Sequence, residues 1–307
     1  MSETKARTRR LGDILFSNLT RFSGVLILVT LALVAAFLLV QATPAFYADD
    51  LYAAPDGFWA YVAPYIFGTI YGSAIALVIA TPLAIGIALY ISHYAHRRVA
   101  QTLGYLIDLL AAIPSVVYGL WGIQVLAPFL NPSYSWLNEN LGWIPLFGGQ
   151  LSATGRTMMT VGIVLAIMIL PIMAALIREV FLQTPRLHEE AALALGATRW
   201  EMVRLAVLPF GRPGIISAAM LGLGRALGET MAVAMVLSPS AVISFALLTS
   251  TNPNTIAANI ALQFPEAGGT YVNLLIATGL VLFAITLAVN SIARVIIARR
   301  SEFSGAN

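Results

Sequence analysis

The chain has 307 residues, 59% of them hydrophobic and only 10% charged, with a mean hydropathy of +0.85. A soluble domain carries roughly a quarter of its residues as charges, so most of this surface is built for lipid. The absence of cysteine excludes a disulfide framework, a thiolate metal site and a thiol nucleophile, and the net charge of +3 informs by its placement rather than its size.

About six apolar runs are long enough to span a bilayer, near residues 22–40, 67–92, 103–130, 157–177, 214–237 and 271–297. The first is too long for a signal-peptide core and lacks a small-x-small cleavage site, so it reads as an uncleaved helix. Lys5, Arg7, Arg9, Arg10 and Arg21 precede it, and Arg97 and Arg98 separate the second and third runs. Arg178, Arg186, Arg199, Arg204 and Arg212 separate the fourth and fifth, and Arg294, Arg299 and Arg300 end the sixth. The alternate loops hold Arg156 with Asp49, Asp50, Asp56, Glu139 and Glu266. By the positive-inside rule both termini and the segment between the fourth and fifth runs are cytoplasmic. The outer loops, near 41–65, 131–156 and 238–270, carry Trp59, Trp136 and Trp143, residues of an interfacial aromatic belt.

In the third run Asp108 opens the stretch DLLAAIPSVVYGLWG. Pro114, Ser115 and Gly119 interrupt the helical ladder there, and the freed groups must bond to neighbours or to water in a cavity. A kink beside a pore and a packing kink are equally open. Asp108 reads either as a gating group or as a residue facing headgroup water. His93, His96 and His188 form no ligand cluster and read as solvated.

Between the fourth and fifth runs lies TPRLHEEAALALGATRWEMVRLAVLP. Thr184 is placed to cap a helix with Pro185 at its first position. Gly196 stands where a helix end wants a left-handed residue. Thr198 and Glu201 form the Thr-x-x-Glu capping box of a second short helix, which Leu208-Pro209 is expected to end. A DNA-reading helix-turn-helix imitates this pattern. It needs a third supporting helix and room to leave the membrane, and about 35 residues between two spans provide neither. No nucleic-acid partner is expected.

The fifth run, LGLGRALGETMAVAMV, places Arg225 and Glu229 at i, i+4 in mid-span, on one helix face and within mutual reach. A lone charge at this depth is costly, so the two either line a pathway or form an ion pair that pins two helices together. Gly222, Gly224 and Gly228 let a neighbouring backbone come close. An arginine at low dielectric offers a planar fork to an oxyanion such as phosphate or sulfate. No phosphate-binding loop with a following Lys-Ser/Thr is present, nor a nucleophile elbow or a zinc-protease motif. No enzymatic activity, cofactor or metal is expected.

Glu190-Ala191-Ala192, then Gly196 and Leu208-Pro209, resemble the EAA loop of ATP-binding-cassette (ABC) importer permeases, with Ala206 standing where that family usually has isoleucine. Ala111–Gly122 and Gly224–Val236 are similar to signatures of PstC-type permeases of phosphate importers. The resemblance implies an all-α integral membrane fold of about six transmembrane helices, the type I (MetI-like) importer permease fold. It divides the chain into a cytoplasmic tail (1–21), a first helix with its outer loop (22–63), a permease core (64–300) with a coupling loop at 179–213, and a tail (301–307). It implies that Arg225 and Glu229 line the substrate pathway, to which the reading of Asp108 as an intramembrane charge adds that residue. It assigns Glu190, Ala191, Ala192, Gly196, Leu208 and Pro209 to docking on an ATPase. The implied partners are a second, PstA-type permease, two PstB-type ATPases, a PstS-type extracytoplasmic binding protein and membrane lipid. An importer of another oxyanion, an ATP-independent transporter and a non-transporting scaffold are the competing readings.

Overall fold

The structure is a computed structural model that describes residues 11–47 and 57–301. Lys5, Arg7, Arg9, Arg10, Asp49, Asp50, Asp56 and the expected tail after Ser301 lie outside the described residues. Helix α1 (Leu11–Tyr47) is followed by α2 (Phe58–Leu89), which a π-helical turn (Tyr90–Tyr94) prolongs. Helix α3 (Arg97–Ala111) turns through 92° into α4 (Ser115–Trp121), which a second π turn joins to α5 (Ala127–Leu141). Then come α6 (Met158–Leu182), α7 (Arg186–Ala194), α8 (Arg199–Met202), α9 (Leu208–Leu227), α10 (Met231–Val236), α11 (Ile256–Gln263) and α12 (Thr270–Ser301). Among the described residues five helical units are long and apolar enough to cross a membrane, six if the bent α3–α5 unit counts as one.

Helix α6 is the centre of the bundle. Two thirds of its most apolar stretch (67%) is buried, against none of that stretch in α1. Helix α2 meets it through a stripe in the sequence: Gly68, Gly72, Ala76, Ala80, Ala84 and Ala88 stand at every fourth position, all buried. Small residues at that spacing form one smooth helix ridge, which lets two backbones approach where lipid supplies no hydrophobic drive between helices. The approach is close from both sides, since a Cβ on Gly162 of α6 would lie 2.4 Å from Ile75 Cγ2. Helix α1 packs instead on α12, through Ala42, Ala45, Leu274 and Ala277, and Asn273 donates to Gln41 O at 2.7 Å.

One end of the bundle is closed by the segments around 142–157 and 238–255. Ser152 N donates to Leu248 O and Leu247 N to Leu146 O. The buried Asn252 side chain accepts from Met158 N at 3.1 Å and donates to Thr249 O at 2.8 Å. The chain at Pro253–Asn254 passes directly over Gly68, where a Cβ would lie 2.2 Å from Asn254 O. At the opposite end α6 and α9 lean together. A Cβ on Gly211 would strike Phe181 at 2.6 Å and one on Gly214 would strike Val180 at 2.4 Å.

Several expected boundaries change. The third run is no single straight span, because Pro114 caps α4 and the ladder breaks at Ala112–Pro114. Pro209 does not end the second short helix. A π turn over Val203–Val207 carries the chain from α8 into α9, and its wider i→i+5 hydrogen bonds accommodate a proline that has no N–H to give. The fifth run is not one helix either, since α9 ends at Leu227 and α10 begins at Met231.

Candidate functional site

The connector between α6 and α9 takes its shape almost wholly from local signals. Pro185 is the N-cap of α7, and the Thr184 hydroxyl, expected to fill that role, is buried without a partner. Proline locks its own φ and pushes the preceding residue out of helical geometry, so the helix begins one residue later than expected. At its other end Gly196 has φ +85°, its N–H donates to Leu193 O, and Ala197 N donates to Ala192 O. These bonds make a Schellman motif, the turn for which a glycine at that position is favoured. The capping box then forms as expected: Thr198 N donates to Glu201 Oε2 at 2.8 Å and Glu201 N to Thr198 Oγ1 at 3.3 Å.

This connector exposes what a core would hide. Leu195 is 90% exposed, and Leu187, Trp200 and Leu205 are exposed with it. Glu190, Ala191, Gly196 and Pro209 are exposed, whereas Ala192 and Leu208 pack against the bundle core. A cleft of about 610 Å³ runs between the two short helices, lined by Ala192, Leu195, Gly196, Glu201, Arg204 and Leu205. An apolar knob rimmed by charge beside a cleft is the shape of a helix-in-groove contact.

The second region is the break between α9 and α10. Gly228 ends α9, and Glu229 N donates to Ala226 O at 3.3 Å. The Glu229 carboxylate then accepts from Ala232 N at 3.1 Å, holding the first turn of α10. The far end of α10 is held by Arg156, whose Nη2 donates to Met235 O and Leu237 O at 3.1 and 2.9 Å. Arg156 is the one arginine of the loops read as external, and these bonds give it a structural task at the negative end of a helix. Helix α10 lies against α4 closely enough that a Cβ on Gly119 would stand 3.0 Å from Ala232 Cα. The two broken helices therefore meet at their breaks.

Arg225 sits in the last turn of α9, half-buried, with a fully buried Nε that has no hydrogen-bond partner. The expected helical i, i+4 pair with Glu229 does not form, because the helix stops between them and Glu229 is engaged by the backbone of α10. Among the described residues no lysine or arginine forms a salt bridge, and the one contact of that kind is between His93 and Glu189. Arg225 is instead within electrostatic reach of Tyr118 on α4, whose hydroxyl donates to Leu110 O across the α3–α4 bend at 2.8 Å. Asp108 is exposed on α3 one turn before that bend, with no hydrogen-bond partner among the described residues. Broken helices and ionisable side chains inside the membrane commonly border substrate pathways.

One residue that sequence reasoning passed over joins the connector to the core. His93, read as solvated, lies in the π turn after α2 with its side chain only 9% exposed, and its Nε2 faces Glu189 Oε1 of α7 at 3.4 Å. The signal that marks it is positional, since it falls one turn past the end of the small-residue stripe. His96 and His188 are exposed, as expected. Among the described residues no group of His, Asp and Glu is placed to hold a metal ion.

Residues 80–302 match the family described as binding-protein-dependent transport system inner membrane component. The phosphate transport system permease protein PstC 2 of Mycobacterium tuberculosis is 44% identical over 306 residues, covering 94% of this chain and 93% of its own. The PstC protein of Mesorhizobium japonicum is 38% identical over 320 residues, 99% of this chain and 96% of its own. Among solved structures, a bacterial ABC transporter that imports the acidic polysaccharide alginate shares the fold, with a TM-score of 0.53 at 19% identity over 92% of this chain and 99% of its own. The chain belongs to the binding-protein-dependent transport system inner membrane components, the multi-pass permeases of ABC importers.

Proposed function

We propose that the chain is a permease subunit of an ATP-driven importer of inorganic phosphate, forming half of an alternating-access pore with a second, homologous permease. The observation that carries the oxyanion reading is Arg225, a guanidinium with a buried, unpartnered Nε where α9 breaks. A planar fork of N–H donors freed from any carboxylate is the group that receives a tetrahedral oxyanion. Phosphate is favoured over sulfate or molybdate by the names of relatives that match nearly end to end.

In this reading Glu229 holds the break in shape by its bond to Ala232 N, while Asp108 stands at the edge of the neighbouring bend. The exposed connector with Glu190, Ala191, Ala192 and Gly196 is the coupling loop. It docks on one of two separate ATPase subunits, and Leu208 and Pro209 pass its movement into α9. ATP is hydrolysed there and not by this chain. An extracytoplasmic binding protein delivers phosphate to the end closed by the 142–157 and 238–255 segments. The arginine distribution supports a cytoplasmic placement of both termini and the connector.

Uptake of radiolabelled phosphate in cells deleted for this chain and then supplied with it tests the proposal. Uptake should return with the chain, require the ATPase, and resist competition by sulfate. Uptake that persists without the ATPase would establish an ATP-independent transporter. Competition by sulfate as effective as by phosphate would move the substrate to another oxyanion.

A further inference from the structure

We infer that His93 and Glu189 form the joint through which movement of the connector reaches the α2–α6 core, which makes His93 a positioning residue for transport. The inference rests on the reading of the chain as an ATP-driven permease. It concerns a contact made by the residue just before Glu190-Ala191-Ala192, remote from the α9–α10 break.

The geometry carries it in three steps. Helix α2 is locked to α6 along its small-residue stripe, which ends at Ala88. Immediately beyond, the Ser92 hydroxyl donates to Ala88 O at 2.7 Å, and Ser92 Oγ lies 2.7 Å from His93 Nδ1. Contact with Ser92 Oγ holds the ring at Nδ1 and turns Nε2 outward. That nitrogen meets Glu189 Oε1 at 3.4 Å. The ring is thus fixed at one edge by the core and grips α7 with the other.

The burial of the two partners is uneven, 9% exposed for His93 and 23% for Glu189. The histidine belongs to the core and the glutamate to the part that moves. Helix α7 itself has no buried residue. Few side chains hold it to the bundle, and a directional polar contact therefore matters more than it does in a packed core. Beside the pair lies a cavity of about 270 Å³ that Arg199 and Met202 also line. It gives α7 room to shift while the pair stays closed. A rigid anchor, a polar link and adjacent free volume make a hinge that pulls on the core.

The test uses the whole importer in proteoliposomes, with its ATPase and binding protein, and measures phosphate imported and ATP hydrolysed together. The wild-type complex must first transport, and a failure there overturns the functional reading rather than the joint. Given a working complex, Glu189→Gln and His93→Ala should each raise the ATP consumed per phosphate by about three- to tenfold, with hydrolysis itself changed by less than about twofold. The double variant should be no worse than the worse single, since a shared interaction is lost only once. His93→Lys, which presents an N–H donor to Glu189, should recover most of the coupling. Glu189→Gln removes charge with almost no change of volume and keeps the test sharp if His93→Ala fails to assemble. Unchanged stoichiometry in both single variants, or losses that simply add in the double, would overturn the joint.

Discussion

The connector and the α9–α10 break are two irregular regions of the fold, and they are irregular for opposite reasons. The connector is an exposed turn whose form follows from residues no more than five positions apart: Gly196 at φ +85°, the Schellman bonds, the Thr198–Glu201 box. The break is buried, and its form follows from residues far apart in sequence. Gly119 admits Ala232, and Arg156 draws on the carbonyls that end α10. A region shaped locally keeps its conformation when its surroundings move, which suits a handle. A region shaped by its surroundings changes when they change, which suits a gate. In the proposed function the connector is then a rigid transmitter and the break the part whose state is switched.

Loss of the charge at the break should have the largest effect. Arg225→Gln should lower phosphate uptake by about a hundredfold or more while the complex still assembles, and Arg225→Lys should restore little, because an ammonium does not reproduce the planar fork. Purification of the intact complex together with labelled-phosphate uptake checks both. Normal uptake by Arg225→Gln would reduce the break to a packing feature and end the comparison.

Two glycine substitutions separate surroundings from local form. Gly119→Val drives a branched side chain into the backbone at Ala232, 3.0 Å from the first added carbon, and overpacking of this kind costs about 1–3 kcal/mol. It should lower the melting temperature of the purified complex. Gly196→Val meets nothing within 4 Å, yet forces a branched residue into a left-handed conformation at a cost of about 1–2 kcal/mol. It should leave the global melting temperature nearly unchanged while reducing ATPase-coupled uptake. If the two variants melt alike, the connector is not energetically separate from the core.

The same distinction decides what was legible in the sequence. Gly196, Thr198 and Glu201 carry their structure in their own spacing, and the structure places them as expected. The six apolar runs and the helical class were legible for the same reason, because lipid demands long apolar helices whatever their neighbours. The break was not. From Gly214 to Leu237 the sequence is apolar apart from a few polar residues, and the helix stops at Leu227 because α4 and Arg156 hold α10 as a separate piece. The i, i+4 spacing of Arg225 and Glu229 therefore implied an ion pair on a helix that does not continue. The clustered glycines at 222, 224 and 228 were the only local trace of it. His93 was hidden by its neighbourhood of exposed residues, although the stripe from Gly68 to Ala88, read at a period of four, next reaches Ser92, whose hydroxyl lies against its ring.

Thr198→Ala should give the smallest effect and the sharpest test of how local the connector is. It removes the oxygen that receives Glu201 N, and the Thr198 N–H remains bonded to the Glu201 carboxylate. Loss of one N-cap oxygen costs about 1 kcal/mol, which corresponds to roughly fivefold faster amide exchange where the cap alone limits opening. That acceleration should appear at Glu201 and fade along α8, because the next residues, Met202 and Val203, are buried against the core. Uptake should fall by less than about twofold, and Thr198→Ser, which keeps the hydroxyl, should exchange as the wild type does. Faster exchange spreading through α9 to Leu227 would mean that the cap holds the whole fifth span in place. The connector would then be coupled to the break by its own folding rather than by the movement of a preformed lever.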